Sequence, residues 1–297
     1  MNRATVFGVP ASFAKDLCKV RANGKPNTSD ASDKLSVAVG EELFRVLGVN
    51  AARSDEKDEP TGAQFAHQVA ADLMSRFPPA AGTVVLPERK LFEFDQYRHV
   101  GALRGFEPGR SKEFIKAWKR LTSHARKGAS GAALARVETL IGDVESVIDS
   151  EAEHLSSLLA QAGDESLLGL DLTVSRAVEP PARPQLAIGL SLKWSLRTDR
   201  AQDCRSQGAK MSALRRGRMP HFGVLTMEPR PYMLNLLGGG SGDVDCVYHL
   251  DLPALTAAVD TVYVGPRRTA SRDLFHRLVE QRRVRDYDEL VAEIAAV

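Results

Sequence analysis

The chain has 297 residues, of which 43% are hydrophobic and 26% are charged, with a formal net charge of +2. This balance is typical of a folded globular protein, and it excludes the collagen-like and generally disordered classes. Because no apolar stretch approaches 18 residues and the first apolar run is short and interrupted by charges, we expect neither a membrane span nor a secretory signal. The cysteines Cys18, Cys204 and Cys246 are far apart, which predicts no metal site or disulfide framework and favours the cytoplasm.

The basic residues are biased and clustered. Arginine supplies 28 of the 40 basic side chains, with clusters at 215–218, 267–268 and 282–285, whereas acids concentrate at 55–59 and 143–153. Segregated charge of this kind can form a surface that faces phosphate groups. The alternative is that the clusters are solvated helix faces and that the excess of arginine reflects a GC-rich genome.

Helical patterns dominate the first half of the chain. Leu35, Val39, Leu43 and Leu47 recur every four residues and form an apolar stripe. The remaining periodicity predicts helices at about 1–20, 35–48, 61–77, 94–104, 111–126 and 132–161, a loop at 23–33, a charged connection at 50–61 and a short strand at 83–86.

Strand-length apolar runs appear in the second half. They predict strands at 167–174, 186–192, 221–227 and 244–250, a helix from Asp199 to Arg216 capped by Gly217, and two short helices after Ala270. We therefore predict an α/β fold, with a central mixed β-sheet flanked by helices and a mainly helical N-terminal half. We expect a single domain over 1–297, made of a helical part (1–165), a core (166–250) and C-terminal helices (251–297).

Two charged residues interrupt neighbouring predicted strands. Asp171 lies inside an apolar run, where a carboxylate needs a cation, a metal or several hydrogen bonds. Alternation along the next strand places Ser191 and Lys193 on one face. Metal-dependent hydrolysis of phosphodiesters requires such a combination, with the carboxylate on Mg²⁺ and the lysine beside the reacting phosphate. An ordinary Asp–Lys salt bridge is the alternative.

A second group of charged residues follows at once. Arg197, Asp199 and Arg200 crowd the predicted start of a helix. An arginine fork matches O6 and N7 of guanine, and an aspartate accepts from N4 of cytosine, so the set suits two G·C pairs in a major groove. The alternative is helix capping by Thr198 or Asp199, with the arginines solvated.

These segments together resemble a known enzyme family. The stretches 191–202, 215–221 and 226–229 are similar to the NgoMIV family of type II restriction endonucleases, which belongs to the PD-(D/E)XK nuclease superfamily and cuts sites with a CCGG core. Residues 242–249 also resemble the family, residues 62–65 and 94–97 do so more weakly, and the last 47 residues match poorly. The resemblance implies a restriction-endonuclease-like core, Mg²⁺ as cofactor, and cleavage of both strands of DNA at a palindromic site. It also implies a homodimer or homotetramer and a cognate DNA methyltransferase.

The resemblance assigns catalytic roles to individual residues. Asp171 becomes the metal-binding acid, Lys193 the catalytic lysine, and Ser191 the small polar residue two positions before that lysine. Two positions depart from the family pattern. Gln207 stands where many members have glutamate, and Ala66 stands where glutamate typically follows the phenylalanine, so both departures weaken the expected metal site.

The same resemblance assigns DNA contacts. Arg197, Asp199 and Arg200 are expected to read the CCGG core. Asp30 and Ser32, in the loop at 27–32, correspond to residues that contact the bases flanking that core.

Two other functions remain open at this point. Ala66 and Gln207 favour a catalytically impaired, sequence-specific DNA-binding protein on the same fold. A metabolic α/β enzyme is the other alternative, in which Asp171 and Lys193 merely pair.

The other conspicuous features have structural interpretations. The glycine-rich stretch at 238–242 lacks the Gly-Lys-Ser/Thr of a phosphate-binding loop and is expected to be a flexible loop. His221 and His249 are expected to be hydrogen-bonded structural histidines, and Trp194 is expected to pack in the core.

Overall fold

A computed structural model describes residues 11–49, 61–78, 82–101, 111–162, 168–240, 242–266 and 268–297. The chain divides into two compact units. The first unit combines Met1–Arg98 with Leu168–Val297, and the second is His99–Leu167.

A mixed six-stranded sheet forms the centre of the first unit. Its strands follow chain order across the sheet: β1 (Thr83–Lys90), β2 (Gly169–Arg176), β3 (Leu186–Lys193), β4 (His221–Thr226), β5 (Cys246–His249) and β6 (Val284–Asp286). Strands β1, β2 and β3 are antiparallel, whereas β3 to β6 run parallel. The predicted α/β fold with a mixed sheet is confirmed.

Helices precede and connect these strands. In the first unit they are α1 (Ala14–Leu17), α2 (Lys34–Leu47), α3 (Thr61–Arg76), α6 (Thr198–Leu214), α7 (Pro231–Gly238), α8 (Leu252–Val262), α9 (Thr269–Glu280) and α10 (Tyr287–Ala295). The second unit contains α4 (Lys112–Lys127) and α5 (Ala132–Ala162). None of the helices in the described ranges is both long and apolar enough to cross a membrane.

Glycine allows α6 to approach the sheet and its neighbouring loop closely. A Cβ at Gly208 in α6 would lie 1.7 Å from the carbonyl oxygen of Asp243, and one at Gly189 in β3 would lie 2.8 Å from Leu170. At Gly208 the obstacle is backbone, so only glycine fits there, whereas at Gly189 the obstacle is the tip of the Leu170 side chain, which can shift. Helix α6, which carries the predicted recognition residues, therefore packs closely against the loop at Asp243.

Several predicted boundaries were wrong. The helix predicted at 1–20 ends at Leu17, where the side chain of Asn27 takes over the backbone: it donates to the Leu17 carbonyl (2.8 Å) and accepts from the Lys19 N–H (3.2 Å). Residues 1–10 and the charged connection, up to residue 60, lie outside the described ranges. A 3₁₀ helix, Asp95–Gly101, replaces the helix predicted at 94–104.

The C-terminal part contains elements that periodicity did not predict. Helix α6 ends at Leu214, three residues before the expected glycine cap. Helices α7 and α8 were missed, although each has a proline in its first turn, which is a recognised start signal. Strand β6, only three residues long, separates the two predicted C-terminal helices.

The second unit contains a pair of antiparallel helices. The indole N–H of Trp118 in α4 donates to Glu145 of α5 (2.9 Å). Arg126 donates two hydrogen bonds to Glu138, at 2.8 and 3.0 Å. Trp118, nearer the start of α4, meets the later residue of α5, and Arg126, nearer the end of α4, meets the earlier one. The two helices are therefore antiparallel.

Candidate nucleic-acid interface and cleavage site

Asp171, Ser191 and Lys193 lie together at one end of the sheet. One oxygen of Asp171, Oδ2, accepts hydrogen bonds from Lys193 Nζ (3.2 Å), Ser191 Oγ (3.3 Å) and the Leu192 N–H (2.6 Å). The register of β2 and β3 brings these residues side by side, since Leu172 pairs with Leu190. The side chains of Lys193 and Asp171 are 23% and 35% exposed, so the ion pair remains accessible from solvent. Asp171 and Lys193 thus lie adjacent, an arrangement that both the cleavage-site interpretation and the ordinary salt-bridge alternative require.

Helix α3 packs against the end of β3. The ring of Phe65 in α3 meets the buried ring of Trp194 edge to face, with centroids 5.5 Å apart. Trp194 therefore packs in the core, as predicted. Ala66 follows Phe65 directly, and its methyl group offers no oxygen to a metal ion.

Gln207 extends from α6 toward β2. Its Nε2 donates to the carbonyl of Gly169 (3.3 Å), while its Oε1 is buried and, among the described residues, has no hydrogen-bond partner. Cys204, one turn earlier, contacts Ser191 Oγ at 3.5 Å, and burial raises the pKa of its thiol. Gln207 thus places an unpaired amide oxygen on the side of α6 that faces the strand of Asp171.

The side chains near Asp171 offer few oxygen ligands for an Mg²⁺ ion. No group of three or more His, Cys, Asp or Glu side chains is placed to hold a metal in the described part of the chain. Mg²⁺ is commonly held by one or two carboxylates together with substrate phosphates. Asp171, with Gln207 Oε1 as a further oxygen donor, fits that lower limit.

The predicted recognition residues lie at the exposed start of α6. Arg197 has extended backbone dihedral angles and precedes the helix, which starts at Thr198. The N-cap residue is Arg197, whose side chain makes no capping hydrogen bond, so neither Thr198 nor Asp199 is the N-cap residue that the alternative required. Arg197, Asp199 and Arg200 are all exposed, although Arg200 also donates to the carbonyl of Ser195 (3.3 Å).

An open cavity of about 410 Å³ brings together four of the five predicted DNA-binding residues; Asp199 is not among the residues that line it. Arg197 and Arg200 line it together with Asp30 and Ser32, which are some 165 residues away in sequence. The N–H and hydroxyl of Ser32 donate to Asp30 Oδ1, at 3.0 and 2.7 Å. These hydrogen bonds, and after them the charge of Arg230, lower the pKa of Asp30.

A buried ion pair beneath this cavity was missed from the sequence. Glu228 and Arg230 have side chains 0% and 4% exposed, and Arg230 Nε donates to Glu228 Oε1 at 2.5 Å. Glu228 Oε2 accepts from the Leu196 N–H (2.8 Å), while Arg230 donates to the Leu196 carbonyl (2.7 Å) and to Asp30 Oδ2 (3.2 Å). The pair therefore holds the segment before α6 and links it to the Asp30 loop.

The ionisation of this pair reflects its burial. Burial raises the pKa of Glu228, and the hydrogen bonds and charge of Arg230 act in the opposite sense. Although burial acts against it, the Glu228 carboxylate raises the pKa of Arg230. The spacing Glu-Pro-Arg was the sole sequence signal, and it does not distinguish a buried pair from a surface one.

Arg21 is a further cavity residue that the sequence did not indicate. Its guanidinium donates to the carbonyls of Ser29 (2.8 Å) and Asn27 (2.9 Å), so it fixes the backbone of the Asp30 loop. Burial, and after it the charge of Arg197, lowers the pKa of Arg21. A cationic group is thus held at the cavity wall near Arg197.

The two histidines have the structural roles predicted for them. His221 Nδ1 lies 3.2 Å from Asp245 and its Nε2 lies 2.9 Å from the Tyr248 hydroxyl. His249 is fully buried and accepts from the Asp251 N–H (3.2 Å), and burial lowers its pKa to about 4.

A carboxylate–serine–lysine cluster beside an arginine-lined cavity defines a site suited to a polyanion. Comparison with known proteins identifies the family. The model of the NgoMIV restriction enzyme family matches residues 142–296, slightly more than half of the chain. The chain therefore belongs to the NgoMIV restriction enzyme family.

Individual relatives are similar over shorter lengths. The type II restriction enzyme NgoMIV of Neisseria gonorrhoeae is 36% identical over 112 residues, which are 38% of this chain and 38% of that enzyme. The match thus spans less than two fifths of the curated relative. A solved complex of the restriction endonuclease PspGI with substrate DNA aligns with 89% of this chain and 95% of its own, at 10% identity and a TM-score of 0.25.

Proposed function

We propose that this chain is a type II site-specific DNA endonuclease that cleaves both strands at a palindromic site with a CCGG core, using Mg²⁺. One observation carries the proposal: three residues separate Lys193, in the charged cluster, from Arg197 at the cavity. Lys193, which suits a reacting phosphate, and Arg197, which suits base edges, are thus held by one short segment in which Trp194 and Leu196 are buried.

The cluster suggests how the reacting phosphate is handled. Mg²⁺, when bound by Asp171 and Gln207 Oε1, supplies an activated water and neutralises developing charge. Lys193 contributes a compact ammonium that donates to a phosphate oxygen. The hydrogen bonds from Ser191 and the Leu192 N–H keep Asp171 oriented when the lysine moves to the phosphate.

The cavity suggests how the site is read. The forks of Arg197 and Arg200 suit two guanines, and Asp199 suits the N4 groups of the paired cytosines. One such set reads half of a four-base palindrome, so a two-fold homodimer, or a homotetramer made of two dimers, completes the site. Asp30 and Ser32, which line the same cavity, suit the flanking bases.

A nuclease of this specificity needs protection of the host DNA. We infer a cognate DNA methyltransferase of the same restriction–modification system as its functional partner, with both proteins in the cytoplasm.

A catalytically impaired DNA-binding protein is the second candidate. Ala66 and Gln207 favour it, because each replaces a carboxylate that the family pattern supplies. The absence of a three-ligand acidic cluster within the described residues supports the same candidate.

Plasmid cleavage separates the two candidates. A supercoiled plasmid with CCGG sites is incubated with Mg²⁺ and the unmodified chain, the Ala66→Glu variant or the Lys193→Ala variant. We expect linear products from the unmodified chain, faster cleavage by Ala66→Glu and none by Lys193→Ala. Specific DNA binding without cleavage by either of the first two proteins would favour the second candidate. Cleavage independent of CCGG would refute the proposed specificity.

A further inference from the structure

Cys204 lies beside the charged cluster, and the mechanism described above does not use it. Its side chain is fully buried, and its Sγ donates to Ser191 Oγ at 3.5 Å. Ser191 is also fully buried, and its hydroxyl donates to Asp171 Oδ2 at 3.3 Å. Thiol, hydroxyl and carboxylate thus form a chain of two hydrogen bonds that ends on the proposed metal ligand.

The packing of α6 brings the thiol to this position. The buried residues of the helix lie on one face and are Ala201, Cys204, Gly208 and Met211. This face covers β3, because Cys204 contacts Ser191 and a Cβ at Gly189 would lie 3.3 Å from Met211 Cε. Since the short side chain of cysteine has one heavy-atom torsion, the thiol has little freedom once the helix has packed.

The chemistry of the three groups sets the direction of both hydrogen bonds. A serine hydroxyl has one proton to donate and lone pairs with which to accept. A hydrogen bond to a carboxylate is stronger than one to a neutral sulfur, so the Ser191 proton points to Asp171. Burial raises the pKa of the Cys204 thiol, which therefore keeps its proton and donates it to Ser191.

Asp171 depends on this orientation. Its hydrogen-bond donors all meet Oδ2, and among the described residues none reaches Oδ1, which leaves that oxygen for a metal ion. When Lys193 moves to the phosphate, the Ser191 hydroxyl and the Leu192 N–H are the two donors that still hold the carboxylate. Without the thiol, the Ser191 hydroxyl can rotate away from Asp171, and one of these two donors is lost.

We propose that Cys204 is a positioning residue of the cleavage site, whose thiol orients the Ser191 hydroxyl and thereby holds Asp171 for the metal ion. The effect on cleavage rests on the proposed nuclease function. The hydrogen bond from the thiol does not, and it can be observed without metal or DNA.

Infrared spectroscopy of the full-length protein tests that hydrogen bond. The S–H stretch lies in a window free of other protein bands, and it moves to lower frequency when the thiol donates. The band that disappears in Cys204→Ala is assigned to Cys204, and Cys18 and Cys246 supply reference bands in the same spectrum. We expect Ser191→Ala to move the Cys204 band to higher frequency and to leave the reference bands in place. A Cys204 band that stays in place or moves to lower frequency would overturn the proposal.

Plasmid cleavage over a range of Mg²⁺ concentrations tests the positioning role. The loss of one neutral hydrogen bond changes an equilibrium constant by about two- to tenfold. We expect Cys204→Ala to raise the Mg²⁺ concentration for half-maximal cleavage by this factor and to leave the affinity for CCGG duplexes unchanged. Cys204→Ser keeps a donor and should restore the Mg²⁺ requirement of the unmodified chain. Cys18→Ala removes a buried thiol outside the cluster, so it is the matched control and should cleave normally.

The outcomes separate this inference from the proposed function. An unmodified chain that does not cleave at any Mg²⁺ concentration would refute the proposed function, and the infrared band would still decide whether the thiol orients Ser191. An unchanged Mg²⁺ requirement in Cys204→Ala, or a Cys204→Ser variant that cleaves no better than Cys204→Ala, would overturn the positioning role in an active nuclease. Circular dichroism reports whether each variant is folded.

Discussion

Replacement of Arg230 by methionine should lower the free energy of unfolding much more than the loss of a solvent-exposed ion pair would. The change keeps the bulk of the side chain but removes the donors to Glu228, to the Leu196 carbonyl and to Asp30. Glu228, whose side chain is 0% exposed, is then left without its cation.

The expected magnitude follows from that burial. Breaking a buried ion pair by removing one partner costs about 3–5 kcal/mol, because the remaining charge is uncompensated. The exposed pair Arg45–Glu42, with Arg45 70% exposed, provides the contrast. Arg45→Met should cost far less than Arg230→Met, because a solvent-exposed ion pair contributes little to stability.

The destabilisation should also depend on pH. Burial already raises the pKa of Glu228, and removal of Arg230 takes away the interaction that opposes this rise. A carboxyl whose pKa is higher in the folded than in the unfolded state contributes stability at low pH and loses it as pH rises through the folded value. The difference in unfolding free energy between the variant and the unmodified chain should therefore narrow from pH 8 to pH 5.

Denaturant unfolding at pH 5, 6.5 and 8 measures both effects, with Arg45→Met as the matched control. A loss for Arg230→Met no larger than that of the control would refute the buried-pair account. An equal loss at pH 5 and pH 8 would refute the assigned role of the Glu228 charge.

Four further outcomes are expected. Lys193→Ala should abolish Mg²⁺-dependent plasmid cleavage but leave the affinity for CCGG duplexes within about twofold in a gel-shift assay, because the lysine acts on phosphate and not on a base. Continued cleavage by this variant would contradict the role assigned to Lys193. Arg200→Ala should lose roughly 1–3 kcal/mol of binding free energy per half-site, or about 2–6 kcal/mol per dimer, on CCGG duplexes but not on unrelated duplexes. Equal losses on both kinds of duplex across a salt series would show that Arg200 contacts the DNA backbone. Asp199→Ala should lower specific affinity and raise non-specific affinity in that series, because a negative charge is removed. Chelation of divalent metal should stop cleavage, while DNA binding measured by gel shift should persist. Cleavage in excess chelator would contradict the proposed metal dependence.

The sheet core could be predicted because its signals are local. Strands β2 and β3 are continuous apolar runs, and alternation within β3 correctly placed Ser191 and Lys193 on the face that meets Asp171. Strand β6 lacked such a signal, since three residues between arginines and acids resemble a surface turn. Its pairing is specified by contact with β5 and not by its own sequence.

The site could be predicted only in part because half of it depends on tertiary contacts. The connection between Asp30 and the first turn of α6 is invisible to periodicity, and the resemblance to the family was what indicated it. Glu228 and Arg230 look like solvated surface charges in sequence. Their burial, and hence their hold on Leu196, arises only when β4 and the loop at Asp30 have packed together.

Equilibrium binding to matched duplexes tests the central claim most directly. The full-length protein is titrated, without divalent metal, onto one duplex that contains CCGG and onto a second of the same composition with that core scrambled. The account predicts a preference of at least about a thousandfold for the CCGG duplex, which is the lower limit typical of specific DNA-binding proteins. Equal affinity for the two duplexes would contradict it.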